Sequence, residues 1–166
     1  MSTTLQTKYG TEAQAITISL APGGVGLADG AARESDAIDN STTDKYLEIL
    51  VQLRVKFANT APASEKRVYV YAYGTVDFAL PLWPDKVTGS NAAITLNSVT
   101  QLRLIGVIEA VQNDFGTMEP APLAQIFGGV VPSHWGIVVL NKSGIALTTT
   151  ESDHVKKFQG LKAESA

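Results

Sequence analysis

From Lys45 to Phe57 the chain alternates, with Leu47, Ile49, Val51, Leu53, Val55 and Phe57 on one parity and Glu48, Gln52, Arg54 and Lys56 on the other. A pleated strand gathers those six apolar side chains on one face, whereas a helix would scatter them around its cylinder. In that strand Leu50 falls on the opposite, polar face. The run spans roughly a dozen residues against the usual five or six, which predicts a long member of a sandwich or barrel with one wet face. Arg67 to Gly74 alternates as well, with Val68, Val70 and Ala72 on one side and Tyr69, Tyr71 and Tyr73 on the other. The turn-rich segment Asn59 to Ser64 joins the two runs, which together predict an antiparallel hairpin.

Weaker patterns fill the rest of the chain. Ala15 to Leu20 reads as a strand that breaks into the loop Pro22-Gly23-Gly24-Val25-Gly26, and Ala31 to Ile38 reads as a second short strand before the turn formers Asp39 to Asp44. Phe78 to Asn91 predicts a long surface excursion carrying Pro81-Leu82-Trp83-Pro84. Ile94 to Leu96 is a short strand. Gln101 to Val111 is apolar on both faces, so it is expected at the centre of a sheet, covered by the opposing sheet and by a loop or a second subunit. Pro122 before Leu123 to Phe127, with Gly128-Gly129 after it, predicts one short helix. Ile137 to Leu140, the turn Asn141 to Gly144, and Ile145 to Thr149 predict a closing hairpin, followed by a strand from His154 to Phe158. The sum is an all-β chain: a single β-sandwich, jelly-roll-like, over residues 15–160, with a polar N-terminal arm at 1–14 and a C-terminal tail at 161–166.

Composition narrows the function classes. The 166 residues hold no cysteine, so neither a disulfide framework nor a thiolate zinc site is expected. Thirteen basic against sixteen acidic residues, with no basic run longer than Lys66-Arg67 or Lys156-Lys157, disfavour nucleic-acid binding. Neither a signal peptide nor a membrane-spanning apolar run is recognisable. Only 17% of residues are charged, below the roughly 25% of ordinary domains, which suits a surface that is buried against neighbours.

Candidate chemistry is sparse. Gly24-Val25-Gly26-Leu27-Ala28-Asp29 fails the dinucleotide fingerprint because Asp29 replaces its third glycine and no amphipathic helix follows. Glu34, Asp36, Asp39 and Asp44 lack calcium-loop spacing and read as turn-capping, solvated carboxylates. His134 and His154 lie in no nucleophile or zinc motif, and strand alternation keeps Asp153 from forming a dyad with His154. No catalytic, metal or cofactor residue is therefore assigned. Tyr69, Tyr71 and Tyr73, with Phe78, Trp83 and Trp135, form the candidate interface or ligand platform: their rings more often serve core or subunit packing, with the stacking of a carbohydrate as the lesser alternative.

Several segments carry a resemblance: Gly30 to Ser35, Ile38-Asp39-Asn40, Val68 to Gly74, Phe127 to Pro132, and Trp135 to Val139. Across about Gly30 to Leu147 the chain resembles a family of small structural proteins of tailed-bacteriophage virions. The resemblance implies a head decoration, or cement, protein on the exterior of the capsid, made in the host cytoplasm and contacting the major capsid protein. It implies no enzymatic activity. A homo-oligomer, with a trimer favoured, is expected from the tyrosine stripe and the two-sided strand at Gln101 to Val111. The alternative is a virion module that binds a host-surface glycan or receptor as part of a tail or head fibre.

Overall fold

A computed structural model describes residues 5–10, 12–42, 45–77, 79 and 81–165, without the side chains of Leu5 and Ser165. The strands are β1 (Leu5–Tyr9), β2 (Gln14–Ala15), β3 (Ala32–Glu34), β4 (Ile38–Asp39), β5 (Glu48–Lys56), β6 (Arg67–Thr75), β7 (Ala92–Ile94), β8 (Arg103–Glu109), β9 (Phe115–Pro122), β10 (His134–Lys142) and β11 (Val155–Ser165). The short helix α1 (Leu123–Ile126) starts after Pro122 and ends at Gly128 and Gly129, both at positive φ, as its sequence predicts. One sheet has the order β1-β11-β5-β9 with β2 also on β11, and the other has the order β7-β3-β10-β6-β8 with β4 also on β10. The chain is thus an all-β sandwich.

The alternation in β5 and β6 fills the space between the sheets. Ile49, Val51, Leu53, Val55 and Phe57 from one sheet meet Val68, Val70, Ala72, Ile137 and Val139 from the other, and all ten are fully buried. Each of the Val, Leu, Ile and Phe side chains contributes about 1.5–3 kcal/mol by leaving water. Leu47, expected inward with them, is 58% exposed because the strand begins at Glu48 and Leu47 lies beyond the end of the core.

The predicted hairpin between the two runs does not form. β5 pairs with β11 and β9, while β6 pairs with β10 and β8, so the connection crosses from one sheet to the other. Ser64 and Lys66, both at φ 55, help turn it. Parity in sequence reports which face is buried, and an arch between sheets buries the same parity as a hairpin within one. The closing hairpin fails for a related reason. Asn141 is buried and donates to the carbonyls of Leu27 (2.9 Å) and Ile145 (2.7 Å) while accepting from the Ser143 hydroxyl (2.6 Å), so the turn binds a neighbouring loop. Leu147 then bridges to Phe57 in the other sheet.

β8 is an edge strand, not the central one expected. Its apolar character divides three ways: Ile108 enters the core, Leu102 lies under a loop, and Leu104 and Val107 stay 47% and 41% exposed. A β-bulge shifts its register against β6 between Val70 and Tyr71, a feature that blunts pairing with further strands. The expected strand at Ala31 to Ile38 is split into β3 and β4, and Ile16, Ile18 and Leu20 fill the core from an extended segment that follows the two-residue β2. At the chain ends, residues 5–9 pair antiparallel with 161–165, so arm and tail form one ribbon, tied by Lys8–Glu164 at 3.1 Å, while Lys162–Glu164 at 3.2 Å lies within the tail strand.

Candidate functional site

The tyrosine stripe stands on the outer face of the six-stranded sheet, as alternation predicts, but most of it is covered. Residues 81–102 fold back as a strap whose Trp83, Val87, Leu96, Val99 and Leu102 pack with Tyr71, Tyr73 and Val138. Trp83 meets Tyr73 edge-on at 5.3 Å and 89°. The Tyr73 hydroxyl donates to the Ser35 carbonyl at 2.7 Å, and burial pushes that phenol far above its ordinary range. Tyr71 is also buried, and burial likewise raises its phenol. Tyr69 is half-buried, stacks near Tyr71 at 6.3 Å and donates to Glu65 at 2.8 Å.

Glu34 anchors the strap. Its buried carboxylate accepts from the Thr88 amide (2.8 Å), the Thr88 hydroxyl (2.8 Å) and the Gly89 amide (3.0 Å). Asp36 takes the Asn91 amide at 2.6 Å, and Asp85 takes the Asn97 amide at 2.9 Å. The sequence reading of Glu34 as a solvated residue is therefore corrected: the backbone of a loop 54 residues away supplies its hydrogen bonds. Asp39 behaves as expected of a turn carboxylate, held well below its usual range chiefly by the Thr42 and Ser41 hydroxyls. Asp44 lies outside the described residues. Among the described residues no group of three His, Asp or Glu is placed to hold a metal.

Trp135 belongs to neither platform nor interface in the single chain: it is fully buried, edge-on to Phe158 at 5.2 Å. Phe78 lies outside the described residues. Of the six aromatics singled out, the fold gathers Tyr69, Tyr71, Tyr73 and Trp83 on one face and sends Trp135 to the opposite side of its sheet. What remains open there is a terrace of Tyr69, Leu104 and Val107, because β8 sets Val107 opposite Tyr69 and Leu104 opposite Tyr71. Beside the strap a groove of about 480 Å³ runs between Ile94, Leu96, Val99 and Leu140.

One polar cluster was invisible in the sequence. Ser133, His134 and Asp39 come together when β4 pairs with β10: Ser133 Oγ lies 3.3 Å from His134 Nδ1, and His134 Nε2 lies 3.5 Å from Asp39. It resembles a nucleophile relay in composition only. The Thr75 carbonyl lies 3.0 Å from Ser133 Oγ and competes with the imidazole for its one proton. His154 is equally committed. The Lys56 amide donates to its Nδ1 at 3.3 Å and its Nε2 lies 3.2 Å from the Thr148 carbonyl, which fixes a neutral ring. Asp153 turns instead to Thr148 and Lys56.

Burial holds His154 below its ordinary 6.5, outweighing the Thr148 hydrogen bond that favours the charged ring. The unfolded chain therefore binds the proton first, and stability present in full above pH 6.5 is lost as pH falls through 6.5 toward the lower folded value. Denaturation midpoints measured from pH 7.5 to 5 are expected to decline, and His154→Gln is expected to flatten that decline. Glu151 acts lower down. Desolvation would raise its carboxyl, but hydrogen bonds from Lys156 and the Ala21 amide lower it, and its share is lost as pH drops below 4.5.

Comparison with protein-family models, with curated proteins and with solved structures returns no match.

Proposed function

We propose that this chain is a non-catalytic structural protein of a virus particle, acting as a homo-oligomer, with a trimer favoured, on the outside of the capsid. The observation that carries this reading is the apolar terrace of Tyr69, Leu104 and Val107 on a sandwich whose buried carboxylates and histidines are already engaged within the chain. Adjacent exposed apolar side chains of this kind suit a contact with other protein. The strand order supports it at the level of fold: β1-β11-β5-β9 facing β7-β3-β10-β6-β8 suits a jelly-roll reading, an architecture common among capsid proteins. That argument is analogy of fold, and the resemblance to virion structural proteins supplies the setting. The major capsid protein is the partner. Binding the assembled lattice but not its free subunits stabilises the shell by mass action.

Purified protein mixed with undecorated phage heads is expected to co-sediment with the heads, to leave dissociated capsid subunits unbound, and to raise the temperature at which the heads rupture. Val107→Asp is expected to weaken self-association in analytical ultracentrifugation while leaving the melting of the fold intact. Equal binding to free subunits, or heads that rupture at the same temperature with and without the protein, would count against this function. The glycan-binding alternative has less surface to use on the tyrosine stripe, because Tyr71, Tyr73 and Trp135 are buried and only Tyr69 and Trp83 stay partly exposed.

A further inference from the structure

The outer face of the five-stranded sheet is the wet one, and alternation fills it with Gln52, Arg54, Lys56, Lys157 and Gln159. One part of it is concave and not polar. Where β1 ends against β11, a depression of about 400 Å³ is floored by Leu50, Ala13 and Pro120 and walled by the ring of Tyr9, which is 64% exposed. Small-molecule sites fall in this size range and combine apolar walls with a few convergent polar groups.

The polar groups around it are uncommitted or fixed in a useful direction. Gln52 and Lys157 stand opposite one another in the register and have no hydrogen-bond or ion-pair partner among the described residues. Gln159 donates its Nε2 to the Gly10 carbonyl at 2.8 Å, which pins the amide and leaves its Oε1 as a fixed acceptor. Arg54, next on the same face of β5, lies over the Phe115 ring at 4.6 Å and adds positive charge. The carboxylate of Glu48, close by, is taken up by the Ala124 and Ile49 amides at 2.7 Å and 2.8 Å, and Asp153 is taken up by Lys56 at 3.7 Å. Lys157 is the one charged side chain that lines the depression, while Arg54 and the exposed Glu12 and Glu119, next in sequence to Ala13 and Pro120, stand around it.

We propose that this depression binds an acidic sugar residue of a glycan, a hexuronate or a sugar of like chemistry. The C–H face of a pyranose suits the flat exposed ring of Tyr9, its hydroxyls suit the amides of Gln52 and Gln159, and its carboxylate suits Lys157. A free inorganic anion would leave Tyr9 and Leu50 unused. A purely apolar ligand would desolvate Lys157 and Gln52 without compensation, at a cost that opposes binding. The site is independent of the shell function and of the terrace on the opposite sheet, so either can fail without the other.

Titration of the full chain with tetragalacturonate and with cellotetraose, followed by NMR, tests it. The expected result is salt-sensitive binding of the acidic glycan with shifts confined to Tyr9, Gln52, Lys157 and their neighbours, and about tenfold weaker binding of the neutral one. Tyr9→Ala and Lys157→Gln change exposed side chains, so both variants should keep the parent melting temperature while losing binding, and Tyr9→Phe should retain it. Absence of binding at millimolar glycan, equal affinity for the two glycans, or binding that survives both substitutions would overturn the proposal.

Discussion

Val51→Asp is expected to yield no folded protein. Val51 is fully buried in β5, the strand held between β11 and β9, with Phe158 and Ala121 as its register partners on either side. A carboxylate there has no route to water and no cation within the core, whose members are all apolar. The isolated charge costs about 4 kcal/mol or more even after relaxation, a large share of the 5–15 kcal/mol that holds a typical domain together. Val51→Ala removes only apolar volume and is expected to cost about 2 kcal/mol and still fold. Circular-dichroism melts of the two soluble fractions check this. A cooperatively melting Val51→Asp protein would mean that β5 does not face the core.

Gly26→Ala is the second large effect, and it reinterprets the glycine-rich loop. Gly26 lies against the backbone where the loop meets residues 147 and 148: a Cβ there would land on the Leu147 carbonyl and come within 2.8 Å of the Thr148 oxygen. Backbone atoms cannot swing aside as a flexible side chain can. The loop and the 147–148 segment would have to part, straining the Leu27–Leu20 and Leu147–Leu27 hydrogen bonds at 2.8 Å and 3.0 Å. We expect a loss of about 3 kcal/mol, read as a lower urea midpoint at unchanged slope. Gly23→Ala is the control. Nothing lies within 4 Å of its missing Cβ, so only the strain of φ +63 remains, about 1 kcal/mol. Equal midpoints for the two variants would refute the close approach at Gly26.

The buried faces of β5 and β6 were legible, because alternation is a local property, whereas β9 (Phe115–Pro122) was not read as a strand at all. Trp135 could have been assigned to the core on the same ground: it shares parity with Ile137 and Val139, both fully buried, whereas its size and rarity alone suggest a platform. Partner choice was not legible. Asn59 to Ser64 and Asn141 to Gly144 carry good turn chemistry, and turn chemistry serves an arch between sheets as readily as a hairpin within one. Gln101 to Val111 misled because two-sided apolarity was ascribed to a central position, while the strap supplied the cover for Leu102. The Glu34 anchor, the Ser133–His134–Asp39 cluster and the Tyr9 depression each join residues that only the fold brings together, and no spacing in the chain announces them.

A cryo-electron microscopy map of virus particles purified from cells that make this chain tests its proposed position on a particle most directly. The prediction is sandwich-shaped density in repeated clusters, with threefold clusters favoured, on the exterior of the head and in contact with the capsid lattice. Density confined to the tail or to a fibre, or particles that contain no copy of the chain, would contradict it.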